Sequence, residues 1–128
     1  MKVKDAIAYV DEVKPNAFSS AVKVRWLAEL EGRLAADVFL LATLEIADFA
    51  YTAERDMETE LLVAPPHDDI YTLWLCAKID EANGEYNKYQ NTMQTYNEHY
   101  ANFLRWFGTT YDPAEGYISE EARAHGDV

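Results

Sequence analysis

The sequence predicts a mainly α fold of three to four helices. One is a long C-terminal helix over about 69–107, and at most a short extended or β segment lies near 38–63. Three observations predict this. Tyr86, Tyr89, Met93, Tyr96, Tyr100, Phe103 and Phe107 recur at alternating steps of three and four, which places seven large side chains on one helix face. The same register runs backwards from Tyr86 through Ala82, Ile79, Leu75 and Thr72. Shorter apolar stripes at helical spacing occupy the N-terminal third of the chain.

The first helix is predicted over 3–13, where Val3, Ala6, Ile7 and Val10 share a face. Lys14-Pro15-Asn16 ends it, because Pro15 disfavours the α conformation in Lys14. Ser19 or Ser20 suits the N-cap of a second helix. Trp26, Leu27, Leu30 and Leu34 form its apolar face, while Glu29, Glu31 and Arg33 lie largely off it. Gly32 costs that helix about 1 kcal/mol relative to Ala, and the helix is expected to stop near Asp37 or Val38. Residues 38–51 carry mixed signals. Phe39, Leu41 and Thr43 alternate like a strand, whereas Leu40, Leu44, Ala47 and Tyr51 recur like a helix. The expectation is irregular or short extended structure. Residues 52–59 are polar and acidic and read as an exposed loop. Glu60-Leu61-Leu62-Val63 reads as a short extended segment, closed by Pro65-Pro66. Asp68 and Asp69 then suit the N-cap and first turn of the long helix, where carboxylates meet unpaired N–H groups.

The long helix has two halves. From Ile70 to Ile79 it is apolar nearly all round, as a central buried helix is. Beyond Glu85 only the seam and its flanks are apolar. About 39 helical residues span about 58 Å, whereas a compact chain of this length is about 36 Å across. Such a helix either bends near Gly84 or projects onto a neighbour. A hairpin at Asn83-Gly84 is the alternative. On the continuous reading, Tyr89, Met93, Tyr96, Tyr100, Phe103 and Phe107 are the candidate interface for self-association. Gly108 is the expected C-terminal cap. The domain is then 1–107, and 108–128 forms an acidic tail with no apolar period, expected to be flexible on its own.

Composition bounds the function. The 128 residues carry a formal net charge of −12, with 49% apolar and 27% charged residues. Between Leu34 and Asp69 nine acids face the single base Arg55, so that segment holds −8 of the −12. Such a surface repels a phosphate backbone and argues against generic nucleic-acid binding. It suits solvated loop surface, or a face for a basic partner. No apolar run approaches the length of a membrane span, and the N-terminus lacks a signal-peptide centre, so synthesis in the cytoplasm is expected. Cys76 is the only cysteine. With no second cysteine an internal disulfide is excluded, and the apolar setting predicts a buried, inert thiol.

Catalytic patterns are weak. His67-Asp68-Asp69 is the one cluster with metal-ligand chemistry. Adjacent residues point apart, and capping explains the aspartates. His99 and His125 are isolated, and the Glu81–Glu85 pair reads as solvated helix surface. Phosphate-binding glycine loops, nucleophile elbows and zinc spacings do not occur. The sequence therefore predicts a non-enzyme with no catalytic, cofactor-binding or metal residues and no cofactor. Base stacking on the aromatics is disfavoured, since they sit at core spacing in an acidic chain.

Three segments carry a resemblance. They are Lys14-Pro15-Asn16-Ala17-Phe18 leading into Trp26-Leu27-Ala28-Glu29-Leu30-Glu31-Gly32-Arg33; Thr59-Glu60-Leu61-Leu62-Val63 with Pro65-Pro66 and Asp68-Asp69-Ile70-Tyr71; and Asn83-Gly84-Glu85-Tyr86-Asn87-Lys88-Tyr89 continuing to Trp106. Together, over residues 1–107, they resemble small proteins of prophage head-morphogenesis modules in Gram-positive gut bacteria, which look like head–tail connector (adaptor) proteins of long-tailed phages. The resemblance implies a mostly helical virion subunit, assembled in the bacterial cytoplasm into a ring beneath the portal. Its partners would be copies of itself, the portal and tail-completion proteins. DNA would pass through the lumen without specific binding, and no membrane is involved. The competing expectations are a small acidic interaction or regulatory protein and a divalent-metal-dependent enzyme using His67, Asp68 and Asp69.

Overall fold

The computed structural model describes residues 1–110, apart from the side chains of Thr43, Leu44 and Thr110. The element order is α1 (Val3–Val13), α2 (Ser20–Arg33), a π-helical turn (Leu34–Val38), the single-turn α3 (Thr43–Ile46), a 3-10 turn (Ala47–Phe49), α4 (Asp69–Ala82) and α5 (Tyr86–Thr110). The fold is mainly α with a long C-terminal helix. Among the described residues extended pairing is limited to one antiparallel bridge between Lys2 and Glu60.

Local chemistry explains the helix ends. Asp5 reaches back to accept the Lys2 N–H at 3.1 Å, which closes the start of α1. Ser19 Oγ accepts the Val22 N–H at 3.3 Å as N-cap of α2. The helical path then continues to Val38 as a π turn, in which the Phe39 N–H reaches Leu34 O at 2.8 Å. Leu40 follows with φ of 55°, a left-handed conformation rare for a branched side chain, and it breaks the helix. Residues 38–51 are therefore a π turn, a left-handed kink and two short helical turns, which corrects the extended alternative. The alternation of Phe39, Leu41 and Thr43 spans that break between two helical turns and marks no strand.

The long C-terminal helix begins at Tyr86; the expected helix over 69–107 is divided. After Ala82 the chain closes a Schellman motif. The Glu85 N–H bonds Asp80 O at 2.9 Å and the Gly84 N–H bonds Glu81 O at 3.0 Å, while Gly84 takes φ of +73°. The hairpin alternative is the one the chain adopts. The unbroken three-four spacing misled because two antiparallel helices each need an apolar stripe, and here the turn length keeps their registers in phase. α5 also passes through Gly108 to Thr110, so Gly108 is not the cap. The tail over 111–128 and His125 lie outside the described residues.

α4 is the central element. α5 packs along it more extensively than any other pair of elements, and α1 and α2 flank it. Ile70, Tyr71, Leu75, Ala77 and Ile79 are buried, as its all-round apolar character predicts. Trp74 donates its indole N–H to Trp26 O at 2.8 Å, joining α4 to α2. Lys14 Nζ lies 2.9 Å from the buried Asp80 carboxylate, joining the end of α1 to the end of α4. No helix among the described residues is long and apolar enough to cross a membrane.

Candidate functional site

The aromatic seam of α5 faces inward. Trp74 and Tyr96 stand 5.6 Å apart between ring centres, Tyr96 and Tyr100 stack at 5.6 Å, and Phe103 lies 5.7 Å from Phe107. Phe107 meets Phe39 edge-on at 5.0 Å. Phe103 is fully buried and Tyr96 nearly so. Tyr89, Met93, Tyr100 and Phe107 are half-buried, and Met93, Tyr100 and Phe107 pack against the core. Two of the six candidate interface residues are thus core residues of the chain itself. The physical reason is the hairpin, which folds the seam onto α4 and the π turn. The argument that an over-long helix must dock on a neighbour falls with it. Of the seam, Tyr86 alone is well exposed, at the hairpin tip.

His67, Asp68 and Asp69 go three separate ways. His67 lies against Trp106 at 5.0 Å. Asp68 accepts the Met1 ammonium at 3.3 Å. Asp69 meets His99 Nδ1 at 2.5 Å. The N-cap Asp68 makes no capping bond with its side chain; its carboxylate is drawn to the Met1 ammonium, and that of Asp69 to the His99 ring. No group of three or more His, Cys, Asp and Glu that could hold a metal occurs among the described residues. Glu81 and Glu85 are exposed at the hairpin tip, where Glu85 pairs with Lys88 at 2.8 Å. Cys76 is half-buried rather than buried, and its desolvation pushes the thiol pKa up, which keeps it in the unreactive form.

The buried polar centre of the molecule is Glu31, which sequence reasoning set on the outer side of α2. Its side chain is fully buried. Tyr71 donates its hydroxyl to Oε1 at 2.5 Å, and Tyr51 donates to Oε2 at 3.0 Å. The Leu62 N–H also reaches Oε2, at 2.9 Å. The Tyr71 hydroxyl in turn accepts the Val63 N–H at 2.9 Å. One carboxylate thus ties α2, α4 and the connection between them. Burial raises the Glu31 pKa, opposed by the hydrogen bonds from Tyr71, Leu62 and Tyr51. Burial and the nearby carboxylate raise the pKa of both tyrosines, so they stay hydroxyl donors. The sequence held one sign of this arrangement: Glu31 stands four residues after Leu27 and three before Leu34, on the same helix face. No local pattern links it to tyrosines 20 and 40 residues away.

A surface cleft runs along the outer side of α4 between α1 and α5. Its two lobes measure about 260 and 360 Å³ and share Tyr9, Asp69 and Thr72. Tyr9 and Val13 of α1 stand more than half exposed on its wall. No protein family, no characterised protein and no solved structure matches the chain.

Proposed function

We propose that this chain is a head–tail connector subunit of a phage virion, a structural protein that acts by assembling with copies of itself beneath the portal. The observation that carries the reading is where the resemblance-bearing residues sit. Glu31 belongs to the first of those segments, and Leu62 and Tyr71 to the second; all three meet in one buried hydrogen-bonded node. The third segment contains Gly84, whose left-handed backbone turns the hairpin. These residues hold the fold together, which fits a protein whose task is to present surfaces. The net charge of −12 fits a ring wall that does not grip the passing phosphates.

On this reading the protein forms a closed homo-oligomer, alone at high concentration or on addition of portal, and is incorporated into virions built in the bacterial cytoplasm. Light scattering across a concentration series, with and without portal, tests it. A protein that stays strictly monomeric in both conditions refutes it.

The second reading is an acidic interaction protein that binds a basic partner. The exposed cleft beside α4 favours it, and it predicts salt-sensitive binding to a basic protein by a monomer or dimer.

A further inference from the structure

The cleft along α4 combines two chemistries. Its walls and floor offer Tyr9, Val13, Leu73 and Cys76, apolar surface left uncovered by any described element. One end of the same cleft is lined by the carboxylates of Asp5, Asp68 and Asp69. Glu12 stands on the same exposed face of α1, one turn beyond Tyr9. Against these the cleft sets the Met1 ammonium, held by Asp68, and the His99 imidazole, held by Asp69. The surplus is negative on a chain that is already strongly acidic.

We infer that this cleft is a docking groove for a basic amphipathic helix of another protein. The groove follows α1 from Asp5 to Val13 and α4 from Asp69 to Cys76, or about 10–12 Å at 1.5 Å per residue. About two turns of a helix lie along that length, with apolar residues at i, i+3 or i+4 and i+7. Such a helix sets its apolar side chains on Leu73, Val13 and Cys76. Its Lys or Arg stems lie over the Tyr9 ring, with their cationic heads at Asp5 and Asp69. Charge selects this occupant over the others. A second copy laid groove to groove opposes Asp5, Asp68 and Asp69 with their own like charges. The segment after Thr110 brings Asp112, Glu115, Glu120, Glu121 and Asp127 against the single Arg123, and is repelled in the same way. The inference does not depend on the connector reading.

The experiment uses the full chain and a fluorescein-labelled synthetic peptide of about 14 residues, with leucine on one helical face and lysine and arginine on the other. Anisotropy is measured at physiological salt, beside a scrambled peptide of the same composition. The expected result is saturable one-to-one binding, weaker by about tenfold or more for the scrambled peptide. The Tyr9→Ala, Val13→Ala pair and the Asp5→Asn, Asp69→Asn pair each weaken binding by about tenfold. The remote Glu45→Gln, Asp48→Asn pair, which removes the same charge, changes it by less than about twofold. Amide shifts of the unmutated protein on titration map the contact without relying on the variants' folding, and are expected at Tyr9, Thr72 and Leu73. No binding overturns the inference. So do equal binding of the scrambled peptide, an equal effect of the remote pair, shifts centred elsewhere, and self-association that the cleft variants abolish, which would make a second copy the occupant.

Discussion

Replacing Tyr71 with phenylalanine isolates the node that joins α2, α4 and the chain between them. The ring remains and no cavity of consequence opens, so the change is one oxygen. That oxygen serves two partners: it donates to Glu31 Oε1 at 2.5 Å and accepts the buried Val63 N–H at 2.9 Å. A hydrogen bond to a charged acceptor contributes about 1.5–3 kcal/mol, and a buried N–H left unpaired costs about 1–3 kcal/mol. The expected loss is about 3–5 kcal/mol, a large part of the stability of a domain this size. Tyr51→Phe is the internal comparison. It removes a 3.0 Å bond to Oε2, which still receives the Leu62 N–H, so about 1–2 kcal/mol is expected. Urea denaturation followed by circular dichroism gives both values through the midpoint shift at constant m. A Tyr71→Phe loss under about 1 kcal/mol, or one no larger than that of Tyr51→Phe, refutes the assignment of Glu31 as the keystone.

Phe103→Ala removes a fully buried ring of the α5 seam and is expected to cost about 3–5 kcal/mol; Tyr86→Ala, at the exposed tip, stays within about 0.5 kcal/mol. A fold insensitive to Phe103→Ala would return the seam to the surface. Gly84→Ala meets open space but holds φ of +73°, so its loss of about 1–2 kcal/mol is purely conformational, and a thermal melt should show Gly84→Asn losing less. Glu31 has a raised pKa in the folded protein, so the fold binds more protons than the unfolded chain just above the ordinary glutamate range. Its contribution is therefore present at low pH and is lost as pH rises through the raised folded value. The stability difference between the native protein and Glu31→Gln should fall across that window in pH-dependent urea titrations; a difference that grows with pH contradicts the direction.

Much of the local structure was legible from single residues. Ser19 caps α2 because a hydroxyl before an apolar stripe has an orphan N–H to accept. Pro15 ends α1's region because it constrains Lys14. The apolar stretch from Ile70 to Ile79 became the central helix because most of its faces need cover, and the side of Leu73 and Cys76 stays partly open. The candidate site was less legible. The spacing marks the seam as a packing surface but not what it packs on: Tyr96 and Phe103 are buried within the chain itself, and Tyr96 meets Trp74 of α4. Glu31 shares the face of Leu27 and Leu34 by spacing, and only its charge argues for solvent, because a buried carboxylate needs partners that local sequence does not show.

The sequence by itself determined that 3–13, 20–33 and most of 69–107 are helical, where α1, α2 and α4 start, and that the aromatic face must be covered. Those are short-range matters of spacing, capping and backbone freedom. Only the tertiary structure decided what covers that face, that Gly84 reverses the chain rather than decorating a longer helix, and that Glu31 is buried. Each of these depends on groups tens of residues apart meeting in space. Periodicity carries no distance information across a turn, so the same stripe of tyrosines and phenylalanines reads alike whether it packs on a neighbour or on its own preceding helix.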